Sequence, residues 1–396
     1  MALDTDPFHY DFSPGRLRFG RGCVAELGRD LADLGLERAL VVTGTHVGAN
    51  AGVMGPVTDG LGDRLVEVFD RTTPDCRIET AYAALEVIEA GDVDVLVGVG
   101  AGSSLDIATM TSVLHARYRD LDAIRAEVDE TGGLVVEAEG DFLPLVFVPT
   151  TLAGADLSAG AGIAVPGRTG EKTLLSRALM ATAGFYDPDL YDTTPTSRLV
   201  GSAMNGFDKG IEACYSCNGE PITDATAIRG LAYLRSALPR LAAGDADPTV
   251  MERVVLGHIL VQFGVTVPGA TKLAVIHAFG HALRHRYGVQ QGVAHGLVAP
   301  DALRWVLGET GAGLDDLAAA FDVADAPDPV EAVAGAVAGV RDALGLPGRL
   351  RDVDGVTRDS LHETAVVAYE DAYMWNGPAD LDPTVEEIEA VLEAAW

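Results

Sequence analysis

The stretch that most limits how this chain can fold is Val93–Val99, VDVLVGV, which runs directly into Gly100-Ala-Gly-Ser-Ser-Leu-Asp106. A short run that is apolar almost throughout has no polar face to offer water. It therefore fits a parallel strand covered on both sides. Three more runs read as strands: Ala39–Thr43 (ALVVT), Leu65–Phe69 (LVEVF) and Leu145–Val148 (LVFV). Between them, residues 79–90 space Ala84, Leu85 and Ile88 as one face of a helix. This alternation predicts a doubly wound, mostly parallel sheet with a ligand at the carboxyl ends of its strands. The acidic, weakly patterned segment 115–144 is expected to be a surface excursion.

After Pro195 the pattern changes. Strand-like runs stop, and amphipathic helices are predicted over Ser197–Ser216, Ile222–Leu241 and Val250–Phe263, then through a histidine-rich stretch and on to Trp396. The chain thus divides into an α/β domain, 1–195, and an all-helical domain, 196–396, with the active site expected in the cleft between them. The histidine-rich stretch is the densest chemistry in the sequence. His277, His281 and His285 recur every four residues, which places them on one helical face. His295 follows after a turn marked by Gly288 and Gly292.

Charge excludes several classes of function. The chain carries 59 acidic against 28 basic residues, a net charge of −31. Such a surface repels nucleic acid and anionic membrane, and its self-repulsion suits a high-salt cytoplasm, where charges are screened. No apolar run reaches membrane-spanning length, and the first residues lack the features of a secretory leader, so a cytoplasmic protein is expected. Only three of the 28 basic residues are lysines: Lys172, Lys209 and Lys272. The four cysteines include Cys214-Tyr-Ser-Cys217, but no second pair completes a zinc site, and ordinary small buried residues are expected.

The glycine-rich turn 100–106 has the makings of a phosphate cradle. Small residues let backbone amides approach a pyrophosphate, and the following helix adds positive potential. Such turns are common by themselves. Several motifs in order are more specific. GVGAGSSLDIA resembles the GGGSxxDxAK loop of the iron-containing alcohol dehydrogenase superfamily, and PTTLAGADLS (149–158) resembles its second fingerprint in the PTTYAGSEMT form of maleylacetate reductases. SAMNGFDKGIEACYS (202–216) resembles MDALxHAIEAY, and the histidine stretch resembles HxxxHPLGxxxxxPHGxxxA. Phe19-Gly20-Arg-Gly22 and the ending NGPADLDPTVEEIEAVLEAAW are also similar.

The resemblance implies an N-terminal dinucleotide-binding domain and a C-terminal helical catalytic domain, with a homo-oligomer, a dimer, expected. It implies NAD(P) contacts at Gly44, Gly100, Ala101, Gly102, Ser103, Asp106, Thr150, Thr151 and Lys172. Metal-dependent members hold their ion at positions that here are Asn205, Lys209, His277 and Gln291. Only His277 is a usual ligand for a transition metal, and a protonated lysine repels a cation. A metal-free site is therefore expected. Maleylacetate reductases also look metal-independent and carry Asn at the position of Asn205, but they keep His where Lys209 stands.

Within this resemblance Lys209 takes the metal's place in polarising a carbonyl, oriented by Asn205. His281, at the position of the histidine beside the nicotinamide, relays a proton with His277. His285 and His295 are weaker candidates. Lys272 reads either as a third lysine of the site or as a snorkelling surface residue. Gly44 stands where NAD-preferring members often carry Asp, which favours NADP(H) over NAD(H). The sequence thus points to a metal-free oxidoreductase acting on a small carbonyl or alcohol, with a keto acid among the substrates. The alternatives are a metal-dependent dehydrogenase with altered ligands, a non-redox cyclase or lyase related to dehydroquinate synthase, and a non-catalytic nucleotide-binding protein.

Overall fold

The computed structural model describes residues 15–137, 139–168, 171–263, 265–267 and 270–396. Residues 1–14, read above for a leader, lie outside these. The chain forms two compact units, which divide between Thr194 and Pro195.

The first unit is built on a six-stranded sheet of β1 (Arg16–Phe19), β2 (Ala39–Gly44), β3 (Leu65–Thr72), β4 (Val95–Gly100), β5 (Leu145–Pro149) and, after a separate hairpin of β6 (Gly160–Ala164) and β7 (Glu171–Leu175), β8 (Ala183–Tyr186). The order is β1-β8-β5-β4-β2-β3, and every pairing within the six is parallel. Its helices are α1 (Leu27–Asp33), α2 (Thr45–Gly48), α3 (Ala51–Leu61), α4 (Ile78–Gly91), α5 (Gly102–Ala116), α6 (Leu121–Thr131) and α7 (Pro188–Tyr191).

The uniformly apolar strands are explained by burial on both faces. Leu40, Val42, Leu96 and Phe147 pack in one core with residues of α4 and α5, whereas Val41, Val97, Val99, Val146 and Val148 pack in a second core with α1 and α3. Alternate side chains of one strand thus feed two cores. Gly98 is closely packed: a Cβ there would stand 3.0 Å from the side chains of both Leu105 and Phe147. The excursion expected over 115–144 contains α6, whose Ile124 and Val128 are buried and whose N-terminus is capped by Asp120, which accepts from the Ala123 amide at 2.8 Å.

The second unit runs through α8 (Thr196–Tyr215), α9 (Pro221–Ala242), α10 (Pro248–Gln262), α11 (Val275–Tyr287), α12 (Gln291–Thr310), α13 (Leu314–Phe321), α14 (Pro329–Ala343), α15 (Leu361–Tyr369) and α16 (Val385–Ala394). One feature departs from the all-helical expectation: Thr266–Val267 and Ala270–Thr271 pair as a minimal antiparallel ladder. No described helix is long and apolar enough to cross a membrane.

Candidate functional site

In the sheet unit the switch point of the topology falls at β2. From it the chain passes to β3 on one side and then to β4 on the other, which makes the carboxyl ends of β2 and β4 the place where a sheet of this kind takes a ligand. Gly44 and Gly100 are the last residues of those two strands. Ala101 caps α5 in extended conformation, and Gly102 and Ser103 open its first turn, leaving free amides at a helix N-terminus. Gly100 has φ of +125°, which an L side chain rarely adopts. The Thr150 amide donates to the Gly100 carbonyl at 3.0 Å, bringing Thr150 and Thr151 to the same edge at the end of β5. Asp106 lies one turn into α5, with its carboxylate 3.9 Å from the Cys76 thiol. Lys172 is half-buried on the β6–β7 hairpin, opposite Ile163.

The helical unit assembles the histidines. Glu212, fully buried on α8, holds the start of α11. Its Oε1 accepts from the His277 amide at 2.9 Å, and its Oε2 meets the His277 ring at Nδ1. A carboxylate thereby satisfies an orphan amide of the first turn of α11, which has no side-chain cap of its own. His281 Nδ1 lies 2.9 Å from Asp371, which heads the 3-10 turn Ala372–Asn376, and its ring sits 5.2 Å from that of Tyr373.

His295 is wholly buried in α12 and lies 4.3 Å, centroid to centroid, from His277. Its Nδ1 is 3.2 Å from Asp208, and its Nε2 accepts from the Gln291 side chain at 2.8 Å. Two glycines make this packing possible. A Cβ on Gly280 would stand 2.3 Å from the His295 ring, and one on Gly292 would stand 2.3 Å from the Gly201 carbonyl of α8.

Burial governs the electrostatics. It pushes Glu212 up to about 8 against the pull of the helix amides, and it raises Asp208 well above the usual carboxylate range, with the Glu212 charge adding to the effect. His277 and His295 are held well below the ordinary histidine value, first by burial and then by neighbouring positive charge, including that of Lys209. Burial thus disfavours the charged form of both members of the Glu212–His277 pair, which meet along Oε2···Nδ1.

The structure brings Lys209, His277, His281 and His295 together. Lys209 is 9% exposed on α8, one turn after the half-buried Asn205. His285 is exposed and takes no part. Lys272 does not join the group: it is fully buried in ion pairs with Glu220 at 3.3 Å and Asp224 at 3.5 Å. The cysteines are less buried than expected. Only Cys76 is buried, and Cys217 is exposed because it lies in the turn beyond the end of α8.

Sequence reasoning missed Asp208, Glu212 and Asp371. The first two could have been found, since Asp-Lys-Gly-Ile-Glu sets two carboxylates at i and i+4 around the lysine. Asp371 is ninety positions from its histidine and carries no local signal.

A divalent cation fits these residues poorly. His277 offers one imidazole, Asn205 and Gln291 are weak donors, and the Lys209 charge already bears on His277. Among the described residues, no three His, Cys, Asp or Glu side chains are placed to hold a metal ion.

Comparison with known proteins places this geometry in a family. Residues 14–188 match the model of the iron-containing alcohol dehydrogenase domain, and residues 199–396 match that of the Fe-containing alcohol dehydrogenase family C-terminal domain. The chain is 26% identical to maleylacetate reductase 1 of Rhodococcus opacus, over 100% of this chain and 98% of that one. It is 24% identical to lactaldehyde reductase of Escherichia coli strain K12, over 96% and 97%. Its fold matches the structure of sulfoacetaldehyde reductase from Bifidobacterium kashiwanohense in complex with NAD+ with a TM-score of 0.86, at 19% identity, over 98% of this chain and 99% of that one. The chain belongs to the iron-containing alcohol dehydrogenase family and is an oxidoreductase of that family.

Proposed function

We propose that the protein reduces a small carbonyl compound, or oxidises the matching alcohol, with NADP(H), and that it does so without a catalytic metal. The observation that carries this reading is a buried lysine, Lys209, beside a histidine whose other nitrogen is tied to a carboxylate. The cofactor supplies a hydride to the carbonyl carbon. Charge then develops on the carbonyl oxygen, and the Lys209 ammonium, oriented with Asn205, stabilises it by a charge-assisted hydrogen bond in a water-poor site.

The proton that completes the alcohol comes from His277 Nε2. As it leaves, the proton shared with Glu212 moves onto Nδ1, so the imidazole stays neutral and Glu212 becomes the carboxylate. His281 is 39% exposed and tied to Asp371, with its ring 6.2 Å from that of His277, and it exchanges the proton with water. A keto acid is the favoured substrate class, its carboxylate offering Lys209 a second group to pair with. The acidic surface favours a high-salt cytoplasm as the working medium.

The test is an assay in high salt that follows NADPH and NADH oxidation over a panel of aldehydes and keto acids, with metal analysis of the same sample. Turnover with substoichiometric metal and no effect of a chelator is expected. Stoichiometric zinc or iron with activity lost on chelation overturns the metal-free reading.

A further inference from the structure

We propose that Arg71 is the side chain that selects the 2′-phosphate of the cofactor. This rests on the NADP(H) reading above and names the residue behind it. A dinucleotide whose pyrophosphate lies at the N-terminus of α5 extends its adenosine ribose across the neighbouring strand ends, which here are those of β2 and β3. At the end of β2, Gly44 presents no carboxylate to repel a phosphate. It is also closely confined: a Cβ would stand 3.2 Å from the Thr72 carbonyl and 3.3 Å from its hydroxyl. Gly44 pairs with Thr72 at the end of β3, and the Thr72 hydroxyl shares a 2.8 Å hydrogen bond with Ser104 in the first turn of α5. Arg71 immediately precedes Thr72 at this carboxyl end of β3.

Arg71 is exposed and poised. Its guanidinium lies 5.2 Å from the centroid of the buried Phe69 ring, and among the described residues it forms no ion pair. That is notable in a chain where acidic residues outnumber basic ones twofold. Stacking on an aromatic face leaves the fork of N–H donors free for bidentate contact with a phosphate. The other charged groups at this edge are His46 on α2, Asp70, and the mutually paired Asp75 and Arg77. Asp70 is turned toward α2, with its Oδ2 3.4 Å from the position of a Cβ on Gly48.

Fluorescence titration of the intact protein with NADPH and NADH tests this without knowledge of the substrate. Wild type, Arg71→Ala and Arg71→Lys are compared after thermal melts establish that each is folded. The expected result is a loss of roughly 10–100-fold in NADPH affinity in the alanine variant, the loss of one charge-assisted contact. NADH binding should stay within threefold, and the lysine variant should fall between. Adenosine 2′,5′-bisphosphate should displace NADH from the wild type and lose the same factor on Arg71→Ala. An alanine variant that keeps its NADPH affinity, or weakens both nucleotides equally, overturns the role of Arg71. A wild type that binds NADH more tightly than NADPH overturns the NADP(H) reading instead, and the bisphosphate arm still reports on Arg71.

Discussion

Replacement of Glu212 by Gln isolates the proton path from the fold. Glu212 makes two contacts to His277, one to its amide and one to its ring, beside bonds to the Ala274 and Ile276 backbone, and neither it nor His277 is accessible to solvent to any useful extent. A glutamine of the same shape keeps both: its carbonyl accepts from the amide, and its NH2 donates to Nδ1. Stability at pH 6.5 should therefore change by no more than about 1 kcal/mol, whereas Glu212→Ala, which orphans both groups, should cost about 2–6 kcal/mol at 1–3 kcal/mol for each. What glutamine cannot do is give up a proton. When Nε2 loses its hydrogen, nothing replaces it at Nδ1, so kcat for carbonyl reduction should fall about 10²–10⁴-fold, the usual worth of general acid catalysis.

The same variant has a signature in stability against pH. Burial raises the Glu212 carboxyl from its ordinary 4.5 to about 8. Between those values the folded state binds the extra proton, so this group's contribution to stability declines as pH rises and levels off above the folded value. From pH 6.5 to pH 8 the wild type should lose roughly 2 kcal/mol relative to Glu212→Gln, at 1.36 kcal/mol per unit; the histidines titrate alike in both proteins and cancel. Urea melts at the two pH values and steady-state kinetics measure both effects. A glutamine variant with kcat within threefold of the wild type refutes the Glu212–His277 relay.

Lys209→Ala should lower kcat/KM about 10²–10³-fold through loss of the group that stabilises the developing alkoxide. Activity within tenfold of the wild type in a folded variant would remove Lys209 from the chemistry. Gly280→Ala should destabilise the protein by about 1–3 kcal/mol, because its methyl would enter the space of the His295 ring and the Gln291 amide, which lie 2.3 and 2.9 Å from it; a melt unchanged from the wild type would contradict that packing. Lys272→Met should cost about 3–5 kcal/mol by leaving Glu220 and Asp224 without their buried cation. Kinetic constants at a permissive temperature should be unaltered, since Lys272 belongs to that clamp and not to the histidine group. A large drop in kcat would return it to the site.

Much of this protein is determined by the sequence alone. Val95–Gly100 and its neighbours must be interior parallel strands because they have no polar face, and the glycine turn after them must face a helix N-terminus because small residues are the ones that permit it. The spacing of His277 and His281 fixes a shared helical face. The weaker elements leave no such mark. β1 reads Arg-Leu-Arg-Phe, and β6 reads Gly-Ala-Gly-Ile-Ala; each gains its place from pairing, β1 with β8 and β6 with β7. α6 hides in an acidic run because only Ile124 and Val128 need cover.

Tertiary structure alone decided what the histidines are. Glu212 and His277 are 65 positions apart, and Asp371 and His281 are 90 apart. Their contacts arise from helix packing at close range, which Gly280 and Gly292 allow by leaving no side chain between the helices. Local spacing sets which residues share a face. Whether that face meets a metal, water or a buried carboxylate depends on helices distant in the chain, and here the partner of His277 is Glu212.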